Sequence, residues 1–221
     1  METVDQMKPL KERMMTMKQG IDVSKWQKGF NFNLAKQQGK QFCIVRAGRT
    51  TTDGRQVMDE CFYQNINGAK NSGMDLGIYF YSLATDAVTA HREAEWINHL
   101  LNTDLCNTHL KAGVWLDVED KKQANLPPEK LTSVVMAAIN RLNSYGVYVG
   151  LYSSFNFLTQ HLVLRNIPDY VPLWVAQYAK VNQLKSWYPR KKFHVGSTRT
   201  RGKSENSRLT LTSGTKTQKW H

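Results

Sequence analysis

The chain has 221 residues, 41% hydrophobic and 22% charged, enough to bury a core without disulfides or metal and too apolar for a wholly disordered or collagen-like chain. No run of about 18 apolar residues occurs, which excludes a helical membrane span, and the three scattered cysteines, Cys43, Cys61 and Cys106, form neither a disulfide framework nor a zinc site. The net charge of +12 is uneven, with nine basic residues against Glu205 alone in residues 190–221 and only +4 on the rest, a mildly basic body that suits an anionic polymer such as a bacterial wall.

Residues 1–19 read as a polar leader. They lack the apolar stretch of a secretory signal, so the expectation is accumulation in the cytoplasm. Lys11-Glu12 can be encoded as AAGGAG, a bacterial ribosome-binding sequence, just before Met14, Met15 and Met17. A start at one of those methionines is the alternative to Met1.

From residue 21 onward, short apolar runs alternate with amphipathic stretches. Residues 21–24, 42–48, 76–82, 112–119, 147–153 and 173–178 are rich in β-branched or aromatic side chains and predict strands. Between them, residues 33–38, 58–71, 87–101, 129–144 and 155–164 predict helices. Pro127-Pro128 opens the fourth of these, while Asn71-Ser72-Gly73 and Tyr145-Gly146 close the second and fourth. Strand and helix thus alternate at a spacing of roughly 30 residues, the pattern of a parallel α/β sheet. No G-x-G-x-x-G follows the first strand and no Walker loop occurs, so nucleotide binding has no support. A barrel, with function at the carboxyl ends of its strands, is the better fit.

The chemistry concentrates in Val114-Trp115-Leu116-Asp117-Val118-Glu119-Asp120. Strand alternation puts Trp115, Asp117 and Glu119 on one face and Val114, Leu116 and Val118 on the other. Two carboxylates at a strand end suit acid–base work, because burying unpaired charge otherwise costs stability. The bland alternative makes Asp117 and Glu119 solvated loop residues or partners of Arg46. Other predicted strands end comparably: Asp22 in the first, Arg46 in the second, Tyr79 and Tyr81 in the third, Tyr152 in the fifth, Trp174 and Tyr178 in the sixth. Any one ring has core packing as its simplest explanation. All of them at one rim suit a carbohydrate cleft, with rings against sugar faces and acids at the glycosidic oxygen.

Gly20-Ile21-Asp22-Val23-Ser24-Lys25-Trp26-Gln27 resembles the opening of family 25 of the glycoside hydrolases, the muramidase (lysozyme) family typified by phage endolysins. Blocks at 42–48, 77–82, 115–119, 150–153 and 173–178 are similar to its later motifs, in order. The resemblance implies an irregular, flattened, TIM-like (β/α) barrel that cleaves the β-1,4 bond between N-acetylmuramic acid and N-acetylglucosamine in peptidoglycan. It implies Glu119 as general acid/base, Asp117 as the carboxylate assisting it and Asp22 as the acidic residue of the first strand. Arg46, Tyr79, Tyr81, Tyr152, Trp174 and Tyr178 are the expected substrate-binding set. No metal or organic cofactor is implied. A membrane lesion made by a holin would give such an endolysin access to the wall.

For Glu119 to act as acid it must hold a proton near neutral pH, which burial and a like-charged neighbour both favour; Asp117 shares its face and Trp115 lies beyond. Spacing leaves the stereochemistry open, since two residues along a strand is roughly 6.5 Å, near the boundary between retaining and inverting separations. An N-acetylated sugar favours the substrate-assisted, retaining route with Asp117 orienting the acetamide.

The resemblance thins after Tyr178 and fails after Phe193. Residues 20–193 are therefore expected to form the catalytic barrel and 194–221 an atypical basic tail with little capacity for a core strand. Wall polymers are the expected contact for that tail, as no aromatic interleaving or motif marks specific nucleic-acid recognition. Codons exist for residues 195–204 that, in another frame, encode W-Q-Y-T-D-E-G-K-V, the block that relatives carry here, so a frameshift is one reading of the break. Loss of the last strand would leave unpaired sheet edges. The alternative function is then a catalytically impaired wall-binding protein on the same barrel. A different barrel hydrolase acting on another N-acetylated glycan is a third reading.

Overall fold

The computed structural model describes residues 18–176, 184, 187–198 and 208–211. Seven strands pair in parallel in the order β1 (Lys18–Val23), β2 (Phe42–Thr50), β4 (Asp75–Tyr81), β5 (Gly113–Asp117), β6 (Val149–Ser154), β7 (Leu173–Ala176) and β8 (Phe193–Thr198). The short β3 (Gln56–Met58) folds back antiparallel on the end of β2. A final strand, β9 (Arg208–Leu211), runs antiparallel between β8 and β1 and closes the ring. The described helices are α1 (Phe32–Gln37), α2 (Phe62–Asn71), α3 (Ala87–Asn102), α4 (Lys121–Ala124), α5 (Pro128–Ser144) and α6 (Phe155–His161). This is the curled α/β barrel that strand–helix alternation predicts.

Helix ends follow local chemistry. Asp86 caps α3 by accepting the Thr89 N–H at 2.8 Å. Pro128 opens α5, where its missing N–H costs nothing. Gly73 and Gly146 take φ of 69° and 78° just beyond α2 and α5, a left-handed conformation that side chains disfavour. The helix predicted over residues 58–71 starts later, at Phe62. Gln56–Met58 instead pairs with β2, and Asp59 receives the Cys61 N–H at 3.0 Å.

Strand alternation builds two cores. Ile21, Val23, Cys43, Val45, Ile78, Phe80, Val114, Leu116 and Leu151 face the helices, where Ala90, Ala94, Ile97, Leu131, Val135 and Ile139 meet them. Phe42, Ile44, Ala112, Trp115 and Trp174 fill the barrel interior. Glycines make room for those large rings. A Cβ at Gly20 would overlap the Phe42 ring, and one at Gly150 would overlap the Trp115 indole.

The carboxyl-terminal segment departs from expectation. Residues 193–198 pair with β7 and residues 208–211 with both β8 and β1, so the sheet edges that loss of the last strand would open are paired. The strand is atypical rather than missing, because β9 runs against the barrel's parallel sense. β8 spans the 193/194 boundary drawn from the sequence. The physical reason is that backbone N–H and C=O groups pair whatever their side chains, so even a polar segment can occupy an edge that a closed sheet must cover.

Candidate active site

Alternation on β1, β2, β4 and β5 brings Asp22, Arg46, Tyr79 and Asp117 to the interior side, where they influence one another electrostatically. Asp117, the last residue of β5, is 4% exposed. Burial pushes its carboxyl well above the ordinary carboxylate range; the Glu119 and Asp22 charges push it further, and Arg46 pulls it back. Its Oδ1 has no hydrogen-bond partner among the described residues. Such an orphaned, buried acceptor is costly and calls for explanation.

Glu119 lies two residues past β5 and is half-buried. Its approach is pinned from both sides. Ser82 donates its N–H to the Asp117 carbonyl at 2.9 Å, Val118 donates to the Tyr152 carbonyl at 3.0 Å, and the Ser153 hydroxyl donates to the Val118 carbonyl. Asp120 then caps α4, accepting the Lys122 N–H at 2.8 Å, while its own N–H donates to the Gln123 side chain at 3.2 Å. Burial and like charge thus raise the carboxyl of Asp117, which lies beneath the rim. Trp115 points down into the barrel at 2% exposure and does not form a rim platform.

The other expected residues divide into groups. Arg46 is buried and ion-paired to Asp59, its Nη2 and Nε each 2.5 Å from Oδ2. Asp59 also receives the Lys25 N–H at 3.2 Å, which fixes the turn after β1. Tyr79 sits between Asp22 and Asp117; burial first, then those two charges, raise its hydroxyl pKa well above normal. Tyr152 pairs with Asp117 across the sheet and packs, tilted, against Trp174 with ring centroids 4.4 Å apart. Trp174 itself is 2% exposed and packs against Trp115 at 5.7 Å, inside the barrel. Tyr81 donates its hydroxyl to Asp120 at 3.0 Å and so belongs to the loop carrying Glu119. Tyr178 lies outside the described residues.

Sequence reasoning passed over Asp59, Glu93, Ser82 and Gln123. Glu93 had a legible signal: it falls on the apolar stripe of α3 with Ala90, Ala94, Ile97 and Leu100, where a carboxylate is out of pattern. Among the described residues, no three His, Cys, Asp or Glu side chains group as a metal site. No described helix is long and apolar enough to cross a membrane. A cavity of about 420 Å³ beside Cys106, His109, Val147 and Tyr148 precedes β5 and β6, at the barrel end opposite the carboxylates, and has no acid in its lining.

A sequence profile of Glycosyl hydrolases family 25 matches residues 21–195. The autolytic lysozyme of Clostridium acetobutylicum is 30% identical over 159 residues, covering 72% of this chain and 44% of that protein. Among solved structures, the modular autolysin LytC of Streptococcus pneumoniae superposes with a TM-score of 0.73 at 18% identity, over 88% of this chain and 46% of that one. The family GH25 lysozyme of Aspergillus fumigatus gives 0.68 at 20% identity, over 90% and 95%. The chain therefore spans less than half the length of the clostridial and pneumococcal relatives. With the acidic rim at the carboxyl ends of β1 and β5, and the family profile running through nearly the whole barrel, this chain belongs to family 25 of the glycosyl hydrolases.

Proposed function

We propose that the chain hydrolyses the β-1,4 bond between N-acetylmuramic acid and N-acetylglucosamine in bacterial peptidoglycan. The observation that carries this reading is the acidic rim: Asp117 is buried with an oxygen that finds no partner among the described residues, and burial first, then the Glu119 and Asp22 charges, raise its carboxyl. A carboxyl raised in this way retains its proton under conditions where isolated acids have lost theirs.

Glu119, the more exposed of the pair, is the general acid. It gives its proton to the glycosidic oxygen as the bond from that oxygen to the anomeric carbon breaks. The acetamido oxygen of the muramic acid attacks the same carbon, forming a cyclic oxazolinium ion. Asp117 has acceptor capacity for the acetamide N–H, and a turn about its terminal torsion presents either oxygen. An N–H docked there favours ionised Asp117 and moves the shared proton toward Glu119, arming the acid when sugar is bound. Water then attacks the anomeric carbon, Glu119 takes its proton, and the ring opens with net retention. Asp22 offsets the positive charge that develops. Within the same proposal, the chain acts on the cell wall, and endolysin-type delivery through a holin lesion is tested by holin-dependent lysis of expressing cells.

The deciding experiment is release of reducing ends from purified peptidoglycan by the parent and by Glu119→Gln, with identification of the exposed sugar. Muramic acid ends from the parent but not the variant support the reading. A folded parent that releases none overturns it, and an inverted first-formed anomer overturns the substrate-assisted route.

A further inference from the structure

Glu93 is 0% exposed on α3, on the helix side of the sheet, away from the acidic rim. Its carboxylate receives three donors: the Thr50 hydroxyl at 2.7 Å and the Leu83 N–H at 3.0 Å on Oε1, and the Ser82 hydroxyl at 2.6 Å on Oε2. A hydroxyl has a single proton, and Ser82 gives its own to Glu93. The Ser82 oxygen is thereby left to accept, and it does so from Gln123 Nε2 at 3.3 Å and the Ala84 N–H at 3.2 Å. Gln123, 1% exposed, also donates to the Ala84 carbonyl at 3.2 Å, so its amide is oriented with nitrogen toward Ser82 and oxygen toward the Asp120 N–H at 3.2 Å.

The chain of bonds has one direction and ends on one acceptor. It also brackets Glu119. On one side, the Ser82 N–H holds the Asp117 carbonyl at 2.9 Å; on the other, Gln123 holds the Asp120 N–H. Both anchors lead back to Glu93. Tyr81, the residue before Ser82, holds the Asp120 carboxylate as well.

We propose that Glu93 is a positioning residue for Glu119, its carboxylate fixing through Ser82 and Gln123 the two ends of the segment that carries the acid. This rests on the assignment of Glu119 as the general acid. A core polar group that only satisfied its neighbours would need no single direction of bonding. A glutamine at position 93 keeps one oxygen to accept from Thr50 and Leu83 but sets an NH2 group where Ser82 donates. The Ser82 hydroxyl must then turn away, and its contact with the Gln123 amide that orients the acceptor of the Asp120 N–H is disturbed. Small displacements of a catalytic group change the rate without changing how tightly the ground state binds.

The test compares Glu93→Gln, Gln123→Leu and the double variant with the parent in kcat, KM and Tm on a soluble peptidoglycan fragment. The expected result is a kcat lower by about ten- to hundredfold in each single variant with KM within about threefold of the parent, beside a lowered Tm in variants that still fold cooperatively, because each leaves buried polar groups without partners. The double variant should lose no more than the worse single variant, because both break one chain. A folded Glu93→Gln with parental kcat overturns the inference, as does a rate loss wholly in KM. If Glu93→Gln does not fold, Gln123→Leu decides alone: it cuts the link to Asp120 and leaves the carboxylate in place, and parental kcat then overturns the inference. Glu119→Gln separates the two levels. Full activity in that variant removes the underlying assignment, whereas an inactive Glu119→Gln beside a fully active Glu93→Gln removes the positioning role alone.

Discussion

Arg46 Nη2 lies 2.5 Å from Asp59 Oδ2, so the cation that tempers the proton affinity of Asp117 is already paired to another carboxylate. The side chains are 11% and 0% exposed. The pair is therefore a buried one, for which removing a single partner is far more damaging than the pair's net worth. Asp59→Ala is expected to cost about 3–5 kcal/mol by stranding Arg46 and the Lys25 and Cys61 N–H groups. Urea unfolding would read this directly. An Asp59→Asn variant, which keeps acceptor capacity, should lose less. It should also move the pH–rate profile toward lower pH, because a freed Arg46 lowers the proton affinity of Asp117.

Asp117 should oppose stability at neutral pH. Its folded-state pKa is raised, chiefly by burial, so the native protein binds its proton more tightly than the unfolded chain does. The unfolded chain releases that proton near pH 4, and stability then falls as pH rises toward the folded-state pKa. Asp117→Asn removes the term. Its Tm should exceed the parent's at neutral pH by about 2–4 °C for each kcal/mol recovered, with the gain vanishing below about pH 4. Activity should fall in the same variant. Scanning calorimetry of both proteins across pH checks the sign, and a gain that grows toward acid would contradict it.

Glu119 is half-buried on the loop that follows β5. Glu119→Gln should lower kcat by about 10²- to 10⁴-fold, the range that a positioned general acid supplies. Substrates with an activated leaving group, which need less protonation, should recover much of the lost rate. Recovery with aryl glycosides, measured beside peptidoglycan, would separate an acid from a residue that only holds substrate.

The interior glycines are close-approach positions. An added Cβ at Gly150 meets the ring of Trp115, which is held by its indole N–H to the Ala112 carbonyl at 2.8 Å. Gly150→Ala should therefore destabilise by about 1–3 kcal/mol through overpacking. Gly146→Ala, open to space but at φ 78°, should also destabilise, through backbone strain alone. In Gly150→Ala the displaced indole should alter tryptophan fluorescence as well; Gly146→Ala should not.

Much of the barrel was legible because periodicity reports burial, and burial depends on which face a side chain takes. The helix expected over 87–101 is Ala87–Asn102, and the strand expected over 42–48 lies within Phe42–Thr50. The acids at the ends of the first and fourth predicted strands were legible too, since ionisable residues stand out where apolar alternation stops. Partner choice was not legible. Nothing in the chain says that Arg46 takes Asp59 from the far side of a short hairpin, or that Glu93 reaches Ser82 from another element. Rim and interior also read alike, because alternation gives Trp174 and Asp117 the same face and only the sheet's curvature buries one ring beneath the site. Side-chain pattern gives the polar carboxyl-terminal segment little capacity for a core strand and leaves the last strand atypical or missing. Strand pairing is made by backbone groups, and it was the closure of the ring, a property of all the strands together, that gave β8 and β9 their places.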